Sequence, residues 1–203
     1  MHFEYKIQTN IRVISLISAF EVTYNNDFFF KGENHNFWEC VFVMDGKAGV
    51  SADERIYELG QDEIIFHKPM EFHKLWASSG TKPHLFIFSF KAEGEYVSRL
   101  NNLVLKLNQK QKASLKQFLN LLRNQTATKK FTKPTNEYFK NWAKNTVLTQ
   151  MAGNGLETFL LSLAGSLNII QKETKNKSAQ LYGAIVQSME NHIYDWIDLR
   201  QLA

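Results

Sequence analysis

The chain has 203 residues, 44% of them hydrophobic and 13% aromatic, ample for a packed core weighted toward aromatic β-structure. Its net charge of +4 is uneven: residues 1–100 hold ten Lys/Arg against fourteen Asp/Glu, residues 101–180 thirteen against three, and residues 181–203 one against three, so the chain divides into segments, and the scattered middle lysines read as a solvated helical surface. No apolar stretch approaches the roughly 20 residues of a membrane span, Met1 to Lys6 lacks a signal-peptide pattern, and the single Cys40 excludes an internal disulfide framework and fits a reducing cytoplasm.

From the N-terminus, Ile11 to Tyr24 is β-branched and aromatic, with no Gly or Pro, and predicts a strand. Asn25-Asn26-Asp27 predicts a turn before Phe28–Phe30. Asn36 to Met44 predicts a strand, and Asp45-Gly46 has the chemistry of a tight hairpin turn from which Lys47 to Ala52 returns. Asp53-Glu54 turns into Arg55 to Leu59, and Gly60-Gln61-Asp62 turns into Ile64–Phe66. Pro69 interrupts pairing. Phe72 to Ala77 and His84 to Phe90 complete a set of short strands whose close spacing suggests a sandwich or barrel.

Beyond residue 100 the period changes. Leu115, Phe118, Leu119 and Leu122 fall at helical spacing, and so do Leu156, Phe159, Leu160, Leu163, Leu167 and Ile170 after Gly153-Asn154-Gly155. Residues 124–136 read as a loop and 172–180 as a linker. Tyr182, Ile185, Val186, Met189 and Ile193 open a third helical stripe. Asp198 is placed to N-cap a helix only five residues from the end, which implies a fragment cut inside a further domain.

Glu33, His35 and Glu39 stand at i, i+2 and i+6, so on one strand they share a face with Phe37, Val41 and Val43. A histidine and two carboxylates among apolar neighbours look like pocket lining. Buried together, the carboxylates are expected to raise each other's pKa, or a protonated His35 neutralises one of them. Cys40, of opposite parity, reads as a packed small hydrophobe, and Trp38 as packed outside the sheet. Trp76 and Tyr57 read as core or rim aromatics. His67 and His84, with no spaced partner, read as satisfied or exposed histidines.

Glu33-x-His35-x-x-x-Glu39, followed after six residues by Gly46, resembles the first cupin motif; Gly60-Gln61-Asp62 through Pro69-x-x-x-His73 resembles the second. Together with the strand order and the segment Tyr182 to Ala203, these motifs make the chain similar to the N-terminal sensing region of AraC-family transcriptional regulators. The resemblance implies a mostly β fold with a helical appendage. A cupin-like jelly-roll barrel (double-stranded β-helix) for effector binding would span residues 1–100 and a helical dimerisation region 101–171. The linker over 172–180 would lead to the start of a truncated DNA-binding helix-turn-helix domain over 181–203.

The resemblance also implies a cytoplasmic, non-enzymatic homodimer whose barrel binds a small molecule, with aromatic richness favouring a sugar, and no role for a membrane. Glu33, His35, Phe37, Glu39 and His73 are the expected effector contacts, and no cofactor is expected. Dimerisation is assigned to Leu156, Phe159, Leu160, Leu163, Leu167 and Ile170, and DNA contact to C-terminal units absent from this fragment. The alternative is a divalent metal on Glu33, His35, Glu39 and His73, as in a metal-dependent cupin isomerase or dioxygenase. It ranks second because Glu33 replaces the motif's first ligand His, and the second motif is one residue short and lacks its internal Gly.

Overall fold

The computed structural model describes residues 3–101, 103–123 and 144–170, with side chains to residue 165. The expected loop over 124–136, the linker over 172–180 and the helix-turn-helix start over 181–203 lie outside these residues. Nine strands come first: β1 Arg12–Thr23, β2 Phe29–Glu33, β3 Trp38–Asp45, β4 Ala48–Ala52, β5 Arg55–Leu59, β6 Glu63–His67, β7 His73–Ala77, β8 His84–Glu93 and β9 Val104–Lys106. Helices α1, Gln109–Arg123, and α2, Thr146–Ile170, follow.

One sheet has the order β1-β8-β3-β6-β9 and the other β2-β7-β4-β5, with every pair antiparallel. Pairing first with eighth, second with seventh, third with sixth and fourth with fifth is the jelly-roll order. The expected barrel is therefore present, with β9 as an added edge. One turn differs from its sequence expectation. Gly46, at φ +76, does not fold β4 back on β3; it carries the chain into the other sheet, where β4 pairs with β5 and β7.

Strand alternation divides the apolar residues between two cores. Val41, Val43, Ile65, Leu85 and Ile87 of the larger sheet meet Ala48, Val50, Ala52, Leu59 and Leu75 of the smaller one inside the barrel. The opposite parity of the same strands, Trp38, Cys40, Phe42, Phe66, Phe86, Phe88 and Phe90, packs outward against the helices. Most buried phenylalanines thus lie beneath the helices, and the fully buried residues of the barrel interior are aliphatic, with partly buried Phe20, Phe28, Phe30 and Tyr57 packed against them. Trp38 and Cys40 sit where parity places them.

The α1 stripe Leu115, Phe118, Leu119 and Leu122 is buried in this outer core, as are Leu156, Phe159, Leu160 and Leu163 of α2. This corrects the dimerisation assignment. Those four side chains are covered by the chain's own sheet and α1, so the apolar stripe is an internal seam. The side chains of Leu167 and Ile170 lie outside the described residues. Helix α2 also begins earlier than expected and runs through Gly153 and Gly155. A Cβ on Gly155 would stand 3.2 Å from Leu121 Cδ1, so that glycine permits close approach of the two helices. Glu157 accepts the Val13 N–H at 2.8 Å, covering part of the free edge of β1.

Candidate functional site

Glu33, His35 and Glu39 do not lie on one strand. Glu33 ends β2, His35 sits in the connecting loop, and Glu39 is the second residue of β3. They meet because the jelly roll folds the segments together. Glu33 pairs in register with His73 of β7, and His73 faces the barrel interior in line with Leu75. Glu39 faces the same interior in line with Val41. One ligating atom from each of Glu33, His35, Glu39 and His73 falls within 4.8 Å of the others. Phe37 joins them through its ring, stacked on His35 at 3.7 Å.

Glu39 is the centre. Its Oε1 lies 3.3 Å from His73 Nε2, and its Oε2 lies 3.8 Å from His35 Nε2. Oε2 also accepts from the Ser89 hydroxyl at 3.0 Å, and Ser89 Oγ in turn accepts from Ser18 at 2.9 Å. Burial pushes this carboxyl up, but the facing imidazoles of His35 and His73 outweigh it and hold the pKa at about 2. The expected elevation of Glu39 by Glu33 is not realised, because Glu33 is exposed at the rim and the histidines dominate. His73 is shifted upward: burial lowers it, and Glu39 more than offsets this. Burial, with the Glu39 charge behind it, pushes the Cys40 thiol well up, consistent with an inert packed side chain.

Backbone carbonyls fix the ring tautomers. His35 Nδ1 lies 2.9 Å from the Phe37 carbonyl, and His73 Nδ1 lies 3.0 Å from the Glu71 carbonyl. A carbonyl only accepts, so both Nδ1 atoms carry protons. In the neutral rings each Nε2 is then a lone pair turned toward a carboxylate, and both Nε2 atoms are buried without a hydrogen-bond partner. A proton on His73 or a cation between the groups relieves that repulsion. A divalent metal fits this donor set, with Glu33, Glu39 and the two Nε2 atoms as its ligands.

Two residues here escape the sequence motifs. His67 is fully buried, pairs in register with Glu39 across β3 and β6, and bonds Glu71 through Nδ1 at 2.7 Å. It therefore has a partner, four residues on, and belongs beside the site. Its interior parity with Ile65 is the signal that could have found it. His84 also has a partner, Glu21 at 2.8 Å, which receives Arg123 as well. Trp76 lies over Gly49, where a Cβ would come within 2.1 Å of the indole, so it is a rim aromatic of the outer sheet face. Tyr57 packs against the interior core.

A family model described as AraC-like ligand binding domain matches residues 16–147. Among solved structures, the chain is similar to the cupin domain of Cnp3 from Schizosaccharomyces pombe, at 9% identity, 43% of this chain, 57% of that chain and a TM-score of 0.35. A cupin 2 domain-containing protein from Halorhodospira halophila matches at 20% identity over 45% of this chain and 57% of that one, TM-score 0.31. An RmlC-like cupin from Shewanella frigidimarina matches at 19% identity over 44% of this chain and 89% of that one, TM-score 0.32. Among curated proteins none matches the chain. Among the described residues no helix is long and apolar enough to cross a membrane.

Proposed function

Because the chain belongs to the family of AraC-like ligand binding domains, we propose that it is the effector-sensing part of a DNA-binding transcriptional regulator, with the effector held where Glu39 faces His35 and His73. The observation that carries this reading is geometric: the Glu39 carboxylate faces the Nε2 atoms of His35 and His73 inside the end of the barrel, and neither Nε2 has a hydrogen-bond partner. These groups are acceptors, so the matching ligand brings donors or positive charge: sugar hydroxyls, an amine or a metal ion. Such a ligand shifts the regulator by binding one arrangement of the domain better than another. A thermal-shift panel of sugars, amines, amino acids and organic acids tests this. Donor-rich ligands are expected to raise the midpoint with concentration. Stabilisation by organic acids alone would sink the assignment.

A divalent metal is the second reading, favoured by the two Nδ1–H groups locked on carbonyls. Bound there, a metal would act as a Lewis acid toward an organic ligand, and with it the chain could serve as a metal-dependent enzyme. Elemental analysis of protein purified without added metal separates the readings: stoichiometric metal that disappears in His35→Ala supports the second.

Dimerisation, in the same proposal, uses the side of α2 that the core leaves free. Val147, Met151, Asn154, Thr158 and Leu161 are exposed or half-buried and recur at intervals of four and three residues, the spacing of a two-helix seam. Met151→Glu combined with Leu161→Glu is expected to give a monomer in sedimentation with unchanged helix content. A wild-type chain that is already monomeric at high concentration removes this part.

A further inference from the structure

The turn from β6 to β7 is packed inside out. Glu71 is 1% exposed, whereas Met70 beside it is 66% exposed. Burying a carboxylate and exposing a methionine both cost free energy. A turn with no further duty would place the two the other way round.

What the buried Glu71 holds is a pair of imidazoles. Its Oε1 lies 2.7 Å from His67 Nδ1, and its backbone carbonyl accepts from His73 Nδ1 at 3.0 Å. The two rings stack at 4.4 Å, 16° from parallel. His73 turns its Nε2 edge toward Glu39. The turn reaches the third imidazole as well. Met70, in the left-handed region at φ 64, donates its N–H to the His35 carbonyl at 2.7 Å. A non-glycine residue in that region is held there by its surroundings. The buried Glu71–His67 bond ties this turn to the end of β6 beside the site.

We infer that Glu71, anchored through His67, is the positioning residue of the ligand site: it fixes the orientation and tautomer of His73 so that its Nε2 lone pair stays directed at the ligand. The inference rests on the reading that Glu39, His35 and His73 bind the ligand. It follows the general logic by which an imidazole is made a better ligand when its other nitrogen donates to a fixed oxygen. His67 adds a stacked wall that stops the His73 ring from swinging. Loss of the Glu71 carboxylate frees His67, lets the turn drift, and moves the carbonyl on which His73 depends.

The test compares wild type, Glu71→Ala and Glu71→Gln, each labelled with 15N-histidine. One readout is the tautomer of His73 at alkaline pH, from long-range 15N–1H correlation. The other is affinity for Co2+, read by its visible absorption. Wild type and Glu71→Gln, which keeps an acceptor oxygen, are expected to show His73 as a single Nδ1–H tautomer. Glu71→Ala is expected to show a mixture and to bind Co2+ about 10- to 100-fold more weakly, with circular dichroism unchanged. A Glu71→Ala protein that keeps both the tautomer and the wild-type affinity overturns the inference. If wild type takes up no Co2+, the metal reading of the site fails, and the His73 tautomer alone decides the role of Glu71. Should Glu71→Ala not fold, Glu71→Asp withdraws the oxygen by one methylene and is expected to show the same mixed tautomer; an unchanged His73 there is equally decisive against it.

Discussion

Glu39→Gln is expected to weaken ligand binding by about 30-fold or more while leaving the fold in place. The amide preserves shape and can still meet the Ser89 hydroxyl, but it removes the charge that faces His35 and His73 at 3.8 and 3.3 Å. Removing one partner of a buried, hydrogen-bonded charge set costs about 2–5 kcal/mol of binding, which corresponds to a loss of roughly 30-fold to several thousand-fold. Isothermal titration with the ligand found by the stability panel, or with Co2+, measures it. Unchanged affinity would place the ligand elsewhere in the barrel.

The same variant has a pH signature with two flanks. Glu39 titrates at about 2 in the folded chain, against an ordinary value of 4.5. Its contribution to stability is therefore present above pH 4.5 and lost as pH falls toward 2. A shift of that size amounts at most to on the order of 3 kcal/mol. His73 is raised above its usual 6.5, so its contribution is complete below pH 6.5 and lost as pH rises through the raised value. The ligand-free protein thus gains most from this pair between these flanks, and Glu39→Gln flattens both in unfolding midpoints measured across pH. Binding has the opposite slope on the upper flank. A cation must displace the proton from His73 Nε2, so its affinity rises with pH there, whereas an anion's would fall.

The barrel was legible because its strands are short, its turns carry Asn, Asp and Gly, and the parity of β3 and β8 is clean. The site residues were legible through their motif, but they do not share one strand face. Period-two parity applies within a strand, and the strand is broken at His35. What joins Glu33, His35, Glu39 and His73 is long-range pairing, such as Glu33 with His73, which no local spacing encodes. Glu71 was illegible for a related reason. A glutamate beside an exposed Met70 in a turn reads as solvated, and only the tertiary fold shows it turned inward to His67.

The helical stripe of α2 shows how far periodicity reaches: it identifies an apolar face without naming what covers it. Phe159→Ala decides the question directly. Phe159 is fully buried, edge-on to Phe88 at 6.4 Å, and Phe88 is edge-on to Phe118 of α1 at 5.6 Å. Truncating a phenylalanine in such a core costs about 3–5 kcal/mol, a large share of the roughly 5–15 kcal/mol that holds a domain folded. Urea unfolding should show a lowered midpoint with an unchanged slope, and the difference from wild type should be the same at every protein concentration. Gln117→Ala, on the exposed side of α1 and outside the proposed seam, should stay within about 0.5 kcal/mol. Were the stripe instead a seam between two copies, Phe159→Ala would act mainly on association, and its effect would change with protein concentration. The burial of Phe159 among Phe88, Phe118 and Leu156 predicts the first outcome.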